Sequence, residues 1–289
     1  MKLKRKIFYT LEFIIFIIIY YFFKMLPVNV ASNLNGMIFK SFGPLTKTNF
    51  TILKNLNKIN KFNKNVNEIS KMSWKNLGCT VAEMAHLNSI NKNNLVSVKG
   101  KKNLKNIIGK SEQAIFIAIH QSNWEILAPT LIKFGIKLNS VYRHINNPFI
   151  DKFILKIRKK AYNSKKSLLS PKGKKSAQDM IKSIKNGYSI ALLIDQKDSS
   201  GENIPLFGKL AKTQIGFIKL AIKFKLKIYP IEKIRLKNAK FKMIIHDPIN
   251  LNKSNLKNQK SSMIKIHKLI ESWIIKEPGN WLWHHKRWG

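Results

Sequence analysis

His120 and Glu125 form the first pair in this chain whose types and spacing could do chemistry. They sit in QAIFIAIHQSNWEILAPT, residues 113–130, where an apolar, β-branched run from Ala114 to Ile119 stops abruptly at the histidine. Glu125 then opens a stretch with helical spacing. Two side chains five apart do not stack on one face of an ideal helix. Across a strand-to-helix turn the carboxylate can instead reach back to one imidazole nitrogen and fix its tautomer. The other nitrogen is then left to take a proton from a hydroxyl. The pattern predicts a general base, His120, with Glu125 as its orienter. The competing reading is a structural histidine hydrogen-bonded at a strand end, since paired groups mark sites in only a fraction of cases.

Three further groups could handle a substrate. VYRHINNPFIDKFILKIRKK, residues 141–160, places Arg143 just past a strand end and Arg158 on the following helix. Guanidinium forks grip phosphate and carboxylate better than ammonium does. Arg5, Arg143, Arg158, Arg235 and Arg287 are the only arginines in a lysine-rich chain, so their retention here hints at function. The alternative is an ordinary surface ion pair or cap. ALLIDQKDSSGENIPLFGK, residues 191–209, ends an apolar strand in Asp195 and Gln196. That is the sheet edge where open α/β folds place their sites, which favours an ordering role for Asp195 over a structural cap. His120, Glu125 and Asp195 match no close metal-ligand spacing, so no metal is expected. The ending NWLWHHKRWG, residues 280–289, sets Trp281, Trp283 and Trp288 among His284, His285, Lys286 and Arg287. Tryptophans beside cations suit an element at headgroup depth. Adjacent histidines alone are weak grounds for zinc.

The elements that must position these groups read as follows. MKLKRK is followed by an almost wholly apolar run from Ile7 to Phe23, interrupted by Thr10 and Glu12. Such a run makes a short transmembrane or deeply inserted helix. No small-x-small cleavage site follows it, so an uncleaved anchor is expected over residues 1–27. Lysines flank both ends and leave its orientation open. Residues 28–60 read as helical, lying either on lipid headgroups or as an ordinary helix with a solvated basic face. A further helix is expected over 68–90, carrying His86 without a motif. From Val96 onward strands and helices alternate, the signature of an α/β fold with a mainly parallel sheet flanked by helices. Strands are expected at Ala114–Ile119, Leu138–Tyr142, Ser189–Ile194, Lys227–Ile234 and Phe241–Ile245, with a loop through Gly201 and Pro205. Helices are expected from Trp124, Pro148, Gly173, Gln214 and Ser262. The organisation is therefore an anchor (1–27) and one domain (28–289), in which a helical membrane-proximal part (28–95) precedes the α/β core (96–289).

Composition narrows the partners. Among 289 residues, Lys plus Arg number 54 against 14 for Asp plus Glu, a net charge of +40. That field favours anionic membranes, nucleic acid or acidic proteins. The abundance of Lys, Asn and Ile points as much to an AT-rich genome as to a selected surface. The single cysteine, Cys79, excludes an intramolecular disulfide and the zinc sites built from two or more cysteines. Base stacking on the tail tryptophans is conceivable, but no nucleic-acid-binding fold is recognisable.

His-Gln-Ser-Asn-Trp-Glu (120–125) resembles the His-x4-acid motif of the glycerolipid acyltransferase superfamily, and more narrowly the His-x-Gly-Asn-Trp-Glu form of the bacterial lipid A biosynthesis (late) acyltransferases. Ser122 stands where that family usually has glycine, which tolerates backbone angles that serine does not. Tyr142–Pro148 resembles the family's Tyr-Arg-x-x-x-Asn-Pro block, Asp195–Gly208 its Asp-Gln to Pro-x-Phe-Gly block, and Trp283–Trp288 its Trp-x-His-basic-Arg-aromatic ending, which by that resemblance would pack near the site. The resemblance implies a membrane-anchored enzyme on the cytoplasmic face of a Gram-negative inner membrane. It would move an acyl chain from an acyl carrier protein thioester, or acyl-CoA, to the hydroxyl of a 3-hydroxyacyl chain on a phosphorylated glycolipid. It implies no cofactor and no metal. His120 would be the base and Glu125 would steady it, while Asn123, Arg143, Asn147, Arg158, Asp195 and Gln196 would hold or order the substrates. Two alternatives stay open: a lysophospholipid or glycerol-phosphate acyltransferase with the same core motif, and a non-catalytic basic membrane or nucleic-acid binding protein.

Overall fold

The structure, a computed structural model, describes residues 3–59, 61–62, 65–162, 167–173, 175–249, 251 and 259–288. Helices α1 (Leu3–Met25), α2 (Val28–Phe42), α3 (Lys47–Ile59), α4 (Val66–Met84) and α5 (Leu87–Lys92) come first. The chain then runs β1 (Val96–Lys99), α6 (Lys101–Gly109), β2 (Ala114–Ala118), α7 (Leu127–Lys133), β3 (Leu138–Tyr142) and α8 (Pro148–Tyr162). It continues β4 (Ser167–Pro171), α9 (Ser176–Lys185), β5 (Ser189–Leu193), β6 (Glu202–Leu206), β7 (Lys209–Thr213), α10 (Gly216–Lys223), β8 (Lys227–Arg235), β9 (Phe241–Ile245) and α11 (Gln259–Lys276). One sheet takes the order β1-β9-β8-β2-β5-β3-β4, and β6 with β7 forms a separate hairpin. Every pair in the large sheet is parallel except β8 with β9.

The central strands are apolar because both of their faces are covered, as parallel sheets require. Along β2, Ile115 and Ile117, with Ile119 just beyond, point into a core shared with α3, α4, α9, α10 and α11. Ala114, Phe116 and Ala118 point into the opposite core, built with α5 to α8. Alternation along a single strand thus divides two apolar layers. The expected α/β fold with a mainly parallel sheet is what the chain adopts.

Several details differ from expectation. The stretch expected as helical over 28–60 breaks at Gly43–Leu45, where a 3-10 turn with Pro44 in its first turn separates α2 from α3. Gly43 lies so close to the Trp74 ring that no side chain would fit there. The segment expected as a loop through Gly201 and Pro205 is the β6–β7 hairpin, closed by Phe207 and Gly208 at positive φ. The short edge strand β4 was not expected; it ends at Pro171, as edge strands tolerate. His86 is a core residue whose Nε2 lies 2.8 Å from the Phe23 carbonyl oxygen.

Helix α1 is long and apolar enough to cross a membrane. One stripe of it is docked: Phe13, Phe16 and Tyr20 form an aromatic ladder with Phe149 and Phe153 of α8. Its other faces expose Ile7, Leu11, Ile15, Ile18 and Phe22. On α2, Ala31, Ser32, Asn35 and Gly36 are buried, while Val30, Leu34, Met37 and Ile38 are exposed along the opposite stripe.

Candidate active site

Parallel pairing decides which residues meet. Ala118 of β2 is in register with Leu193 of β5, so two steps beyond the strand ends His120 and Asp195 lie side by side. His120 Nδ1 is 2.8 Å from Asp195 Oδ1, and the His120 amide donates to Asp195 Oδ2 at 3.0 Å. Trp281 Nε1 donates to the same Oδ2 at 2.7 Å. Burial alone would push the Asp195 carboxyl up. The charge of His120 and the hydrogen bonds from His120 and Trp281 outweigh it and hold the group well below the usual carboxylate range. An ionised carboxylate only accepts, so Nδ1 carries a proton; whenever the ring is neutral, Nε2 carries the lone pair. Nε2 points toward Gln196, whose amide nitrogen is 3.4 Å away. The Trp124 ring flanks the imidazole at 5.4 Å.

Glu125 therefore does not hold the imidazole, contrary to the expectation from spacing. The turn after His120 carries it onto a short 3-10 segment, Trp124–Ile126, where it meets α8 instead. Arg158 grips it with two hydrogen bonds, Nε to Oε2 at 2.8 Å and Nη2 to Oε1 at 2.6 Å. Burial would lower the Arg158 pKa, but the Glu125 carboxylate more than offsets this and raises it. Tyr162, fully buried beside the pair, is pushed up by burial and by Glu125 and stays a neutral phenol.

A cavity of about 250 Å³ opens beside this edge. His120, Glu125, Arg143, Arg158 and Gln196 all line it, together with Lys172, Gln214 and the apolar Leu127, Leu169 and Leu193. It can thus offer an imidazole, the cations of Arg143, Arg158 and Lys172, and an apolar wall to one bound molecule. Asn123 and Asn147 are elsewhere. Asn123 is fully buried; its Nδ2 donates to Glu83 Oε2 at 2.8 Å, and its Oδ1 accepts from the Glu125 amide at 2.9 Å. Asn147 caps the start of α8 and donates to Tyr9 O and Glu12 Oε2 of α1, both at 2.8 Å. Both amides are consumed by structural bonds, which leaves them no free group for a substrate.

The tryptophan-rich ending is not an interfacial element. Trp281, Trp283 and Trp288 are buried, and the segment runs back along the His120 turn. Leu282 N donates to His120 O at 2.9 Å, and Ser122 N to Asn280 O at 2.8 Å. Gly289 lies outside the described residues. Ser122 holds φ +55 in place of the expected glycine, so the tight turn forms with serine.

Sequence reading missed two buried charges, Glu83 and Lys233, and a half-buried one, Arg235, around this turn. Glu83 on α4 and Arg235 on β8 form an ion pair, and Lys233 donates to Ile119 O at 3.0 Å. Burial lowers the Lys233 pKa to about 7, with Asp195 and Glu232 partly countering it. One signal was present: charged residues inside the otherwise apolar strand KIYPIEKIR. Among the described residues no group of three or more His, Cys, Asp or Glu side chains is placed to hold a metal ion.

Residues 1–289, the whole chain, match the family model described as bacterial lipid A biosynthesis acyltransferase. Comparison with curated proteins gives no match.

Proposed function

The chain belongs to the bacterial lipid A biosynthesis acyltransferase family, and from that premise we propose that it is a late O-acyltransferase using His120 as general base. A lipid A biosynthesis acyltransferase takes an acyl donor and a lipid acceptor. In our reading the acceptor is the hydroxyl of a 3-hydroxyacyl chain on a lipid A precursor. The observation that carries it is the imidazole whose Nδ1 is locked on a buried carboxylate while Nε2 borders the cavity.

His120 Nε2 takes the hydroxyl proton as the oxygen attacks the thioester carbonyl. The tetrahedral adduct collapses, the C–S bond breaks, and the imidazolium returns the proton to the leaving thiolate. Asp195 keeps Nδ1 protonated and balances the imidazolium, the orienting role that spacing had assigned to Glu125. Glu125 acts by fixing Arg158 in the cavity wall. Arg143, which is exposed, Lys172 and Gln196 are placed to meet phosphate or carbonyl oxygens. An acidic carrier protein as donor fits the net charge of +40. The anchor (1–27) and the exposed stripe of α2 together would seat the domain (28–289) on the cytoplasmic face of the inner membrane.

The test is mass spectrometry of lipid A from a host lacking its own late acyltransferase, expressing the wild-type chain or His120→Ala. A new secondary acyl chain with the first and none with the second is the expected result. An unchanged lipid A with both proteins present in the membrane overturns the reading.

A further inference from the structure

We propose that Glu83 is a positioning residue for the reaction: its carboxylate sets the orientation of the Asn123 amide and, through it, the backbone turn that carries His120 and Glu125. The inference rests on the acyl-transfer reading for its kinetic arm.

Glu83 is fully buried, as is Asn123. Charged side chains are seldom buried without partners, and each carboxylate oxygen of Glu83 has one or more. Oε1 accepts from Ser32 Oγ of α2 at 2.6 Å and pairs with Arg235. Oε2 accepts from Asn123 Nδ2 at 2.8 Å. A carboxylate tolerates only the donor end of an amide, so Asn123 cannot flip. Its Oδ1 must then face the Glu125 amide, 2.9 Å away, and start the 3-10 turn that aims Glu125 at Arg158. Arg235 ties the same cluster to the residue before: Nε donates to Asn76 Oδ1 and Nη2 to Thr80 Oγ1, each at 3.0 Å. Asn76 Nδ2 and Thr80 Oγ1 in turn lie 3.3 Å and 3.1 Å from Ser122 O. Glu83, Asn123, Arg235, Asn76 and Thr80 do not line the cavity, so they act through the turn and not on a substrate.

The polarity of the Glu83–Asn123 bond can be reversed without changing its shape or the local charge. In a Glu83→Gln/Asn123→Asp double variant the amide donates from the helix side. Arg235 and Ser32 still meet an oxygen, and the Glu125 amide still meets an acceptor. Each single variant breaks the match, by pairing two amides or two carboxylates. With purified full-length protein, each single variant should lower kcat about 10- to 100-fold with KM changed little, since misplacement by about 1 Å costs that order. The double variant should recover most of the loss.

A second readout needs no activity. In selectively ¹⁵N-histidine-labelled protein the His120 Nδ1–H proton bonded to Asp195 should give a low-field resonance. It should broaden or shift in each single variant and return in the double variant. Unchanged kcat and resonance in folded single variants, or no recovery of either in the double variant, overturns the proposal. If Glu83→Gln does not fold, Asn123→Asp against the double variant decides by the same recovery. A wild-type chain that transfers no acyl group while its His120 resonance follows this pattern overturns the acyltransferase reading and leaves the positioning role standing.

Discussion

Two buried carboxylates stand near the His120 turn and do opposite things. Asp195, two residues past β5, binds the imidazole of His120, whereas Glu125 follows the turn after β2 and binds the guanidinium of Arg158. The difference lies in how each is placed. Asp195 is delivered by the register of two adjacent parallel strands, which sets strand-end residues side by side however far apart they are in the chain. Glu125 is close to His120 in sequence, but the turn points it across the cavity at α8. The carboxylate that orients the imidazole is the one beside it in the sheet, and the other builds the wall.

The largest effect should separate these roles. Asp195→Asn replaces an acceptor by an amide that can stabilise the wrong tautomer, and kcat should fall by roughly 10² to 10⁴. Glu125→Gln should act mainly by loosening Arg158, with a smaller fall in kcat and a rise in KM. Steady-state kinetics on the two variants would break the comparison if Glu125→Gln costs as much in kcat as Asp195→Asn.

Stability should sharpen the contrast from the other side. Arg158→Met leaves the Glu125 carboxylate buried without its cation, a loss on the order of 3–5 kcal/mol. Glu125→Leu combined with Arg158→Met removes both charges and should regain most of that in a denaturant titration. Failure of the double variant to recover would mean that the pair is not an isolated unit of the wall.

Much of this layout is legible in the amino-acid sequence. The bounds of β2, β3, β5 and β9 agree with the sequence reading to within a residue; β2 and β5 are almost wholly apolar, while β3 and β9 interrupt their apolar residues with Asn139, Ser140 and Lys242. The His120–Asp195 contact is not legible there, because register between strands 75 residues apart leaves no local periodicity. The β6–β7 hairpin is hidden by Pro205 and by lysines on its exposed face. Glu83 is hidden because nothing in VNEISKMSWKNLGCTVAEM tells which of its two glutamates turns inward. The tail tryptophans admit two readings, at an interface or packed near the site, because an amphipathic ring suits both an interface and a core that offers its N–H an acceptor; the structure has the second.

The strand-end region should also be the one that acid loosens first. Burial holds His284, packed on Trp74, and His285, which accepts from the Lys197 amide, at pKa values of about 4, and His267 on α11 likewise. Unfolded, each titrates near 6.5. Between these values the unfolded chain binds more protons, so stability is full above about pH 6.5 and declines as pH falls toward 4. The depressed Asp195 adds its loss only below the usual carboxylate range. Thermal midpoints measured across that window should fall, and His284→Phe, which cannot take a proton, should flatten the slope. A flat wild-type profile would show that these rings are not held neutral.

The smallest effect tests the turn between the two carboxylates. Ser122 sits at φ +55 with its hydroxyl buried and unpartnered among the described residues. A left-handed conformation costs a residue with a side chain roughly 1–2 kcal/mol, and a buried hydroxyl without a partner adds to that. Glycine removes both terms but gives back about 0.5–1 kcal/mol of backbone entropy. Ser122→Gly should therefore stabilise the protein by about 1 kcal/mol, readable as a rise in melting temperature of about 2–4 °C. A fall instead would mean that the serine side chain supports the turn by packing. The turn's hold on His120 would then rest on that residue as well as on Asn280, Asn76 and Thr80.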